Sequence, residues 1–103
     1  MNEIVMPRVT GRLNHSLPAN IITPIGQSIS LDKGETITYN CTYTPKSASV
    51  DFGYIDSDSV FCCLSCTTGS INKSIKIEEP GQYTLAIRNN ESYSVRVTGT
   101  VRY

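Results

Sequence analysis

The sequence predicts an all-β protein: a single antiparallel β-sandwich of about eight short strands, jelly-roll-like in its connections. Apolar and polar residues alternate with a period of two through most of the chain, and turn-forming residues separate the alternating runs. No window of eleven or more residues has the apolar spacing of a helix. Antiparallel sheets with one apolar face bury that face when two of them pack together.

The alternation is clearest from Ile37 to Tyr43, where each second residue is apolar and the others are Thr or Asn. The same period follows in Val50, Phe52 and Tyr54, in Ile71, Ile75 and Ile77 with Lys73 interrupting, in Tyr83, Leu85 and Ile87, and in Val95, Val97, Val101 and Tyr103, broken near Gly99. Two more strands are predicted at Val9–Leu13 and Ser28–Leu31. Residues Asn14–Gly26 are predicted to be a long surface connection because they contain two prolines and a glycine.

Turn signals lie between these runs at the spacing that an all-β domain requires. They are Asp32–Gly34, Pro45–Ser47, Asp56–Ser59, Thr68–Ser70, Pro80–Gly81 and Asn89–Ser92. Glycine accepts a positive φ angle, proline fixes φ in a turn, and Asp and Asn side chains bond to nearby backbone amides. No internal boundary interrupts the pattern, so residues 1–103 are predicted to be one domain.

Composition excludes two classes of partner. The chain has 103 residues, nine basic and nine acidic, with a pI near 6.5. Because a nucleic-acid-binding domain of this size normally carries excess positive charge, no nucleic acid is expected. No apolar run approaches the ~20 residues of a membrane-spanning helix.

Residues 1–7 lack the pattern of a secretory signal, so an exported protein would be represented here by its mature form.

Four cysteines form the most distinctive pattern: Cys41 alone, and Cys62, Cys63 and Cys66 close together. Only Cys63 and Cys66 have the two-residue spacing of a zinc knuckle, so no metal site is predicted. In a strand, Cys63 points away from Cys62 and Cys66, and Cys41 lies on an apolar face. Cys41 and Cys63 are therefore the first disulfide candidates, with Cys62 and Cys66 the others. The alternative is that these residues are small buried side chains with free thiols.

No catalytic residue and no cofactor are predicted. His15, the only histidine, falls in the expected Asn14–Gly26 connection among neutral neighbours. The carboxylates that could act in glycoside hydrolysis lie at turns or on wet strand faces. These are Asp51, Asp56, Asp58, Glu78 and Glu79. The Asp56–Ser59 turn lacks the Gly and Glu of an EF-hand loop. A small hydrolase remains only as an alternative.

One segment resembles the immunoglobulin family. Gly34–Tyr43 is similar to the second strand of such a domain, which implies a core Trp and a distant second Cys. The chain has no Trp, and Asp58–Cys63, which imitates the later motif, follows Cys41 too closely for the intervening strands. The immunoglobulin fold is therefore the secondary alternative.

A stronger resemblance is to small exported β-sandwich proteins of Gram-positive bacteria. The segments that carry it are Gly34–Thr38, Tyr43–Gly53, Gly69–Ile75 and Gly81–Asn90. The last of these is also similar to a segment of the jelly-roll domains appended to secreted bacterial peptidases. The resemblance implies one exported β-sandwich and specifies no catalytic residue. The sequence departs from the family at the cysteine cluster, where aromatic or β-branched residues are usual.

These observations favour a secreted or cell-surface module that is not an enzyme and that binds an unknown protein or carbohydrate at the cell surface. Without Trp, the aromatic contacts available to a sugar are exposed tyrosines such as Tyr54, Tyr93 or Tyr103. The alternative from another class is a structural surface protein whose cysteines cross-link copies of the chain. This alternative implies self-association of the chain.

Overall fold

The computed structural model describes residues 9–103, which form nine β-strands and contain no helix. The strands are β1 Thr10–Leu17, β2 Ile22–Pro24, β3 Ile29–Leu31, β4 Thr36–Thr44, β5 Val50–Ile55, β6 Phe61–Cys66, β7 Ser70–Lys76, β8 Gly81–Asn89 and β9 Val95–Arg102. Every strand pair is antiparallel. The predicted all-β class is confirmed.

The strands form two sheets that pack face to face. Sheet A has the order β1-β9-β4-β7, and sheet B has the order β2-β8-β5-β6, with β3 pairing to β8 next to β2. Only the β2–β3 and β5–β6 connections stay within one sheet, and all the others cross from one sheet to the other. This order, which interleaves the two sheets along the chain, is that of a jelly-roll sandwich, as predicted.

The core lies between the sheets and follows the predicted alternation. On β4, Ile37, Tyr39, Cys41 and Tyr43 are all buried. The rings of Tyr39 and Phe52, one from each sheet, have centroids 5.4 Å apart and are tilted by 59°. This separation is within the range of about 4.5–7 Å that favourable aromatic pairs adopt. The apolar face predicted for β4 is therefore the centre of the core.

Buried tyrosine hydroxyls find backbone partners in this core. The Tyr39 hydroxyl donates to the Gly53 carbonyl oxygen at 2.6 Å. The Tyr43 hydroxyl lies 2.8 Å from the Ala48 carbonyl oxygen and 3.0 Å from that of Cys66. Burial raises the pKa of Tyr43 to about 12, so the hydroxyl keeps its proton. Because the polar ends of both side chains are satisfied, their large rings are buried without an unpaired group.

The expected surface connection at Asn14–Gly26 is wrong. β1 continues to Leu17, whose side chain is fully buried, and Ile22–Pro24 forms β2. Only four residues, 18–21, join these two strands. A proline is compatible with β2 because that strand lies at a sheet edge, where one side needs no ladder hydrogen bond. His15 consequently lies within β1 and not in a loop.

The interruption of the apolar alternation at Gly99 does not end the strand, because β9 is continuous from Val95 to Arg102. Gly99 occupies an inward position opposite Cys41. It has a φ of +144°, and a Cβ atom built there would lie 2.3 Å from the Asn40 carbonyl oxygen. Glycine is therefore the residue that lets β9 approach β4 so closely.

Candidate functional site

The four cysteines lie on different faces of the sandwich, and all four are free. Cys41 is a buried residue of sheet A, whereas Cys62, Cys63 and Cys66 lie on β6 of sheet B. Cys63 pairs with Gly53 and lies two residues before Ser65, so the two side chains share one face of β6. The Ser65 hydroxyl donates to Asp51 on the outer surface of sheet B. Cys63 thus faces away from the core, and the structure does not bring it together with Cys41.

The thiols differ in their electrostatic surroundings. Burial raises the pKa of Cys41 to about 11. Burial and the neighbouring Asp51 carboxylate raise the pKa of Cys63, although Arg88 opposes them. Partial burial also acts to raise the pKa of Cys66, but hydrogen bonds from Thr68 and other neighbours outweigh it and lower the pKa overall. Cys66 is therefore the thiol with the most stable thiolate among those whose pKa is shifted.

The carboxylates considered for hydrolysis fall into two groups. Asp51 lies on β5, whereas the other four line one depression of about 290 Å³ beside the β5–β6 and β7–β8 connections. These four are Asp56, Asp58, Glu78 and Glu79. Asp51 lies on the outer side of sheet B, yet it is only 2% exposed, which corrects the expectation of a wet position. It accepts hydrogen bonds from Ser65, Arg88 and Asn90. Asp56 accepts bonds from backbone amides of its own turn. Both oxygens of Asp51 are therefore held by structural donors, whereas both bonds to Asp56 reach its Oδ1 alone.

The structure does not assemble His15, a metal site or an aromatic sugar platform. The His15 side chain is half-buried on edge strand β1, opposite Val97. Within residues 9–103, no three His, Cys, Asp or Glu side chains converge in a way that could hold a metal ion. The tyrosines considered for sugar binding are also apart: Tyr54 contacts Tyr83 edge-on at 5.0 Å, Tyr93 is exposed, and Tyr103 is half-buried. They do not form an aromatic platform.

The outer surface of sheet A carries a different arrangement, which we name the polar face. It consists of the outward side chains of four adjacent strands. They are Thr10, Arg12, Asn14 and Ser16 on β1, Arg96, Thr98, Thr100 and Arg102 on β9, Thr36, Thr38, Asn40, Thr42 and Thr44 on β4, and Ser70, Asn72, Ser74 and Lys76 on β7. All are hydroxyl, amide or cationic residues, and none is acidic.

Register makes the polar face regular. Strand spacing separates neighbouring side chains by about 4.8 Å across the sheet and by about 7 Å along each strand. Thr42 pairs with Thr98, and their hydroxyl oxygens are 3.4 Å apart. The Arg96 guanidinium donates to Asn14 at 2.6 Å. Short side chains held by their neighbours give a flat surface with many donors and few flexible groups.

Two shallow depressions lie side by side on the polar face. The first has a volume of about 500 Å³ and is lined by hydroxyl residues together with Lys46 and Arg96. The second has a volume of about 450 Å³ and includes Arg12 and Asn14. Thr98 lines both of them, so the two depressions adjoin. Together they present three cations and no carboxylate, which is the lining that an anionic ligand requires.

The acidic residues collect elsewhere. Most of the acidic residues that the structure describes lie in three connections between strands and not on the polar face. They are Asp32 and Glu35 before β4, Asp56 and Asp58 before β6, and Glu78 and Glu79 before β8. Backbone hydrogen bonds of Ile77 to Gly34 and Glu35 bring two of these connections together. The net charge of zero therefore hides a strongly uneven distribution.

Sequence reasoning missed the polar face because net charge is summed over the whole chain. The available signal was in the outward positions of the predicted strands, where Arg12, Lys76, Arg96 and Arg102 stand without an acidic neighbour. Reading that signal needs the strand order, since these four residues come from three strands that are distant in sequence.

Comparison with known proteins leaves the family open. No protein-family model matches the chain, and no curated protein matches its sequence. Residues 9–103 contain no helix of the length and apolarity needed to span a membrane. The resemblance to exported Gram-positive proteins therefore stays a prediction.

Proposed function

We propose that the chain is a non-catalytic secreted or cell-surface module that binds an anionic polysaccharide on the polar face. The observation that carries the proposal is the pair of adjoining depressions, which share Thr98 and are lined by Lys46, Arg96 and Arg12 with no carboxylate. Secretion or surface display rests on the resemblance to exported bacterial β-sandwiches.

The chemistry of the polar face favours a glycan as the source of the negative charge. Its many hydroxyl and amide groups match the hydroxyls of a sugar chain, and arginine binds carboxylate or sulfate groups in bidentate fashion. Sites for single-stranded nucleic acid normally offer aromatic rings on which bases stack. None of the outward side chains of the polar face is aromatic, and Tyr43, which lines the first depression, is only 2% exposed. The polar face therefore suits a charged sugar polymer better than an oligonucleotide.

The test is titration with dextran sulfate and polygalacturonate, with uncharged dextran as the reference and a single-stranded oligonucleotide as the competitor class. We expect the two anionic polymers to bind and the uncharged one not to bind, with affinity falling as salt rises. Tighter binding of the oligonucleotide, or no binding of either anionic polymer, would overturn the proposal.

A pair of variants locates the site. Arg96→Gln removes one cation from the first depression, whereas Lys33→Gln removes the same charge from the exposed turn before β4, which lines neither depression. Because a charge-assisted hydrogen bond contributes about 1.5–3 kcal/mol, R96Q is expected to weaken binding by about tenfold or more. K33Q is expected to leave the affinity within about twofold, since its screened charge is distant from the depressions. Equal losses in both variants would show that binding is non-specific.

A further inference from the structure

Within residues 9–103, the edge strands of the two sheets differ in how they are protected against pairing with another strand. Natural edges are blunted by lysines, by proline, or by being very short. Strand β7 carries Lys73 and Lys76, strand β1 carries Arg12, and strands β2 and β3 are three residues long, with Pro24 ending β2. Edge strand β6 has the sequence FCCLSC, with no charge and no proline.

Lys73 shows how the protected edge works. It pairs with buried Tyr39, so its position belongs to the inward face of sheet A, yet its side chain is exposed at the edge. A strand added outside β7 would bury this ammonium group without a partner. On β6 the corresponding inward position is Leu64, which is only partly buried and packs against the core. A strand added outside β6 would bury more apolar surface and no charge.

We infer that β6 is the self-association edge of this protein, and that two copies pair antiparallel through it to extend sheet B across both molecules. Among residues 9–103, β6 has β5 as its only strand partner. Its other side therefore offers unpaired backbone groups to a second copy.

The hydrogen-bond pattern fixes the register of this pairing. The Asp56 amide donates to the Val60 carbonyl oxygen at the start of the hairpin. Alternate residues of an antiparallel strand turn their backbone groups to opposite sides. The N–H and C=O groups of Phe61, Cys63 and Ser65 consequently point to the open side. Only one two-fold register uses all three, and it places Cys63 opposite Cys63 of the second copy, with Phe61 opposite Ser65.

Charge supports the same arrangement at both ends of the paired strands. In this register the acidic Asp56–Ser59 turn that precedes β6 in one copy lies at the same end of the paired strands as Thr68, which follows β6 in the second copy. The Lys46 side chain lies next to Gly69, beside that threonine, where a Cβ atom on Gly69 would be 2.8 Å from the Lys46 Cβ. Each acidic hairpin turn is thus placed near a lysine of the other copy, twice by symmetry.

The first experiment measures molar mass by light scattering across a range of concentrations. The unmodified chain is expected to reach twice its 11.3 kDa mass. Leu64→Lys places on β6 an inward-facing lysine like Lys73 of β7 and is expected to give monomers. Leu64→Met keeps an apolar side chain of similar size and is expected to keep the dimer. A monomeric unmodified chain, or a dimer that persists in folded L64K, would overturn the inference.

A second experiment tests the register without relying on L64K to fold. Two variants each keep one thiol near the centre of β6: C62S/C66S keeps Cys63, and C63S/C66S keeps Cys62. Diamide oxidises two thiols to a disulfide and is itself reduced to the hydrazine. Opposed hydrogen-bonded residues have Cα atoms about 5.5 Å apart, within disulfide range. We expect a covalent dimer from the Cys63 variant alone. Equal cross-linking of both variants, or none, contradicts the proposed pairing.

Discussion

Arg88 on β8 donates two hydrogen bonds to one carboxylate oxygen of Asp51 on β5, from Nε at 2.9 Å and from Nη2 at 2.6 Å. Ser65 donates to the other oxygen at 2.7 Å, and the Asn90 amide donates to the shared one at 2.9 Å. The arginine guanidinium also lies 5.3 Å from the ring centroid of Phe61. Residues from β5, β6 and β8 are thereby joined on the outer side of sheet B.

Replacing Arg88 by methionine is expected to destabilise the protein by about 2 kcal/mol. The Asp51 side chain is 3% exposed and would lose the one ionic partner that it has within residues 9–103, although Arg88 itself is 41% exposed and its attraction is partly screened. Urea denaturation measures the loss. The double variant R88M/D51N is expected to recover part of it, because the unpaired charge is then absent. A loss below about 0.5 kcal/mol would place the pair among ordinary surface contacts.

The same carboxylate predicts acid sensitivity. Burial acts to raise the pKa of Asp51, but hydrogen bonds from Asn90, Ser65 and Arg88 outweigh it and hold the pKa below its ordinary value of 3.8. A pKa lower in the folded state stabilises the fold above the unfolded-state pKa, and this stabilisation is lost as pH falls towards the folded-state value. Stability should therefore fall below about pH 4.

Urea denaturation between pH 2 and pH 7 checks this dependence. Asp51→Asn is expected to flatten the acid side of the curve, because no carboxylate is left to protonate. Asp32→Asn, at an exposed turn position, serves as the control and is expected to leave the curve unchanged. If D32N flattens the curve as much as D51N, the assignment to the buried carboxylate is wrong.

Alternation predicted the faces of the strands but not what covers each face. It correctly placed Tyr39 and Cys41 in the core and pointed Cys63 away from Cys62, because side-chain direction depends only on the period of the strand. It misplaced Asp51, whose outward position is covered by Arg88 from a neighbouring strand. That cover depends on register between distant segments, which a single sequence does not encode locally.

The missed strand β2 has a related cause. Ile22–Pro24 is three residues long, too short to display a period of two, and it is held by pairing with Ala86–Arg88 of β8. The polar face was missed because it is assembled from four strands in a non-sequential order. Local composition therefore predicts the class of the fold, whereas the candidate site requires the topology.

Thiol reactivity should follow position. We expect iodoacetamide at pH 7.5 to modify Cys66 before Cys63, because neighbouring hydrogen bonds lower the pKa of Cys66 while burial and Asp51 raise that of Cys63. Cys41 is 2% exposed, has a pKa of about 11, and should react only after denaturation. Peptide mass spectrometry over time gives the order. Early modification of Cys41 would contradict its position in the core.

Gly99→Ala is expected to cost about 2–4 kcal/mol in unfolding free energy. The φ of +144° disfavours any L side chain, and the added Cβ would lie 2.3 Å from the Asn40 carbonyl oxygen. Gly11→Ala is the matched control on the neighbouring strand, since the nearest atom to its Cβ is a Val101 methyl carbon at 3.7 Å. Thermal and urea unfolding of both variants compare them. A tolerated G99A would mean that β9 and β4 separate easily.

Pairing through β6 predicts that polysaccharide binding is bivalent. A two-fold axis perpendicular to the extended sheet B keeps both sheet A surfaces on the same side, so the two polar faces can contact one polymer. Linked sites raise the apparent affinity by about 10² or more over a single site. Long dextran sulfate should therefore bind the dimer far more tightly than monomeric L64K, whereas a short sulfated fragment, which contacts one face only, should gain nothing from the dimer. Equal affinity of dimer and monomer for the long polymer would show that the two faces do not act together. Weaker binding of the short fragment to L64K than to the dimer would show that this substitution disturbs the polar face itself.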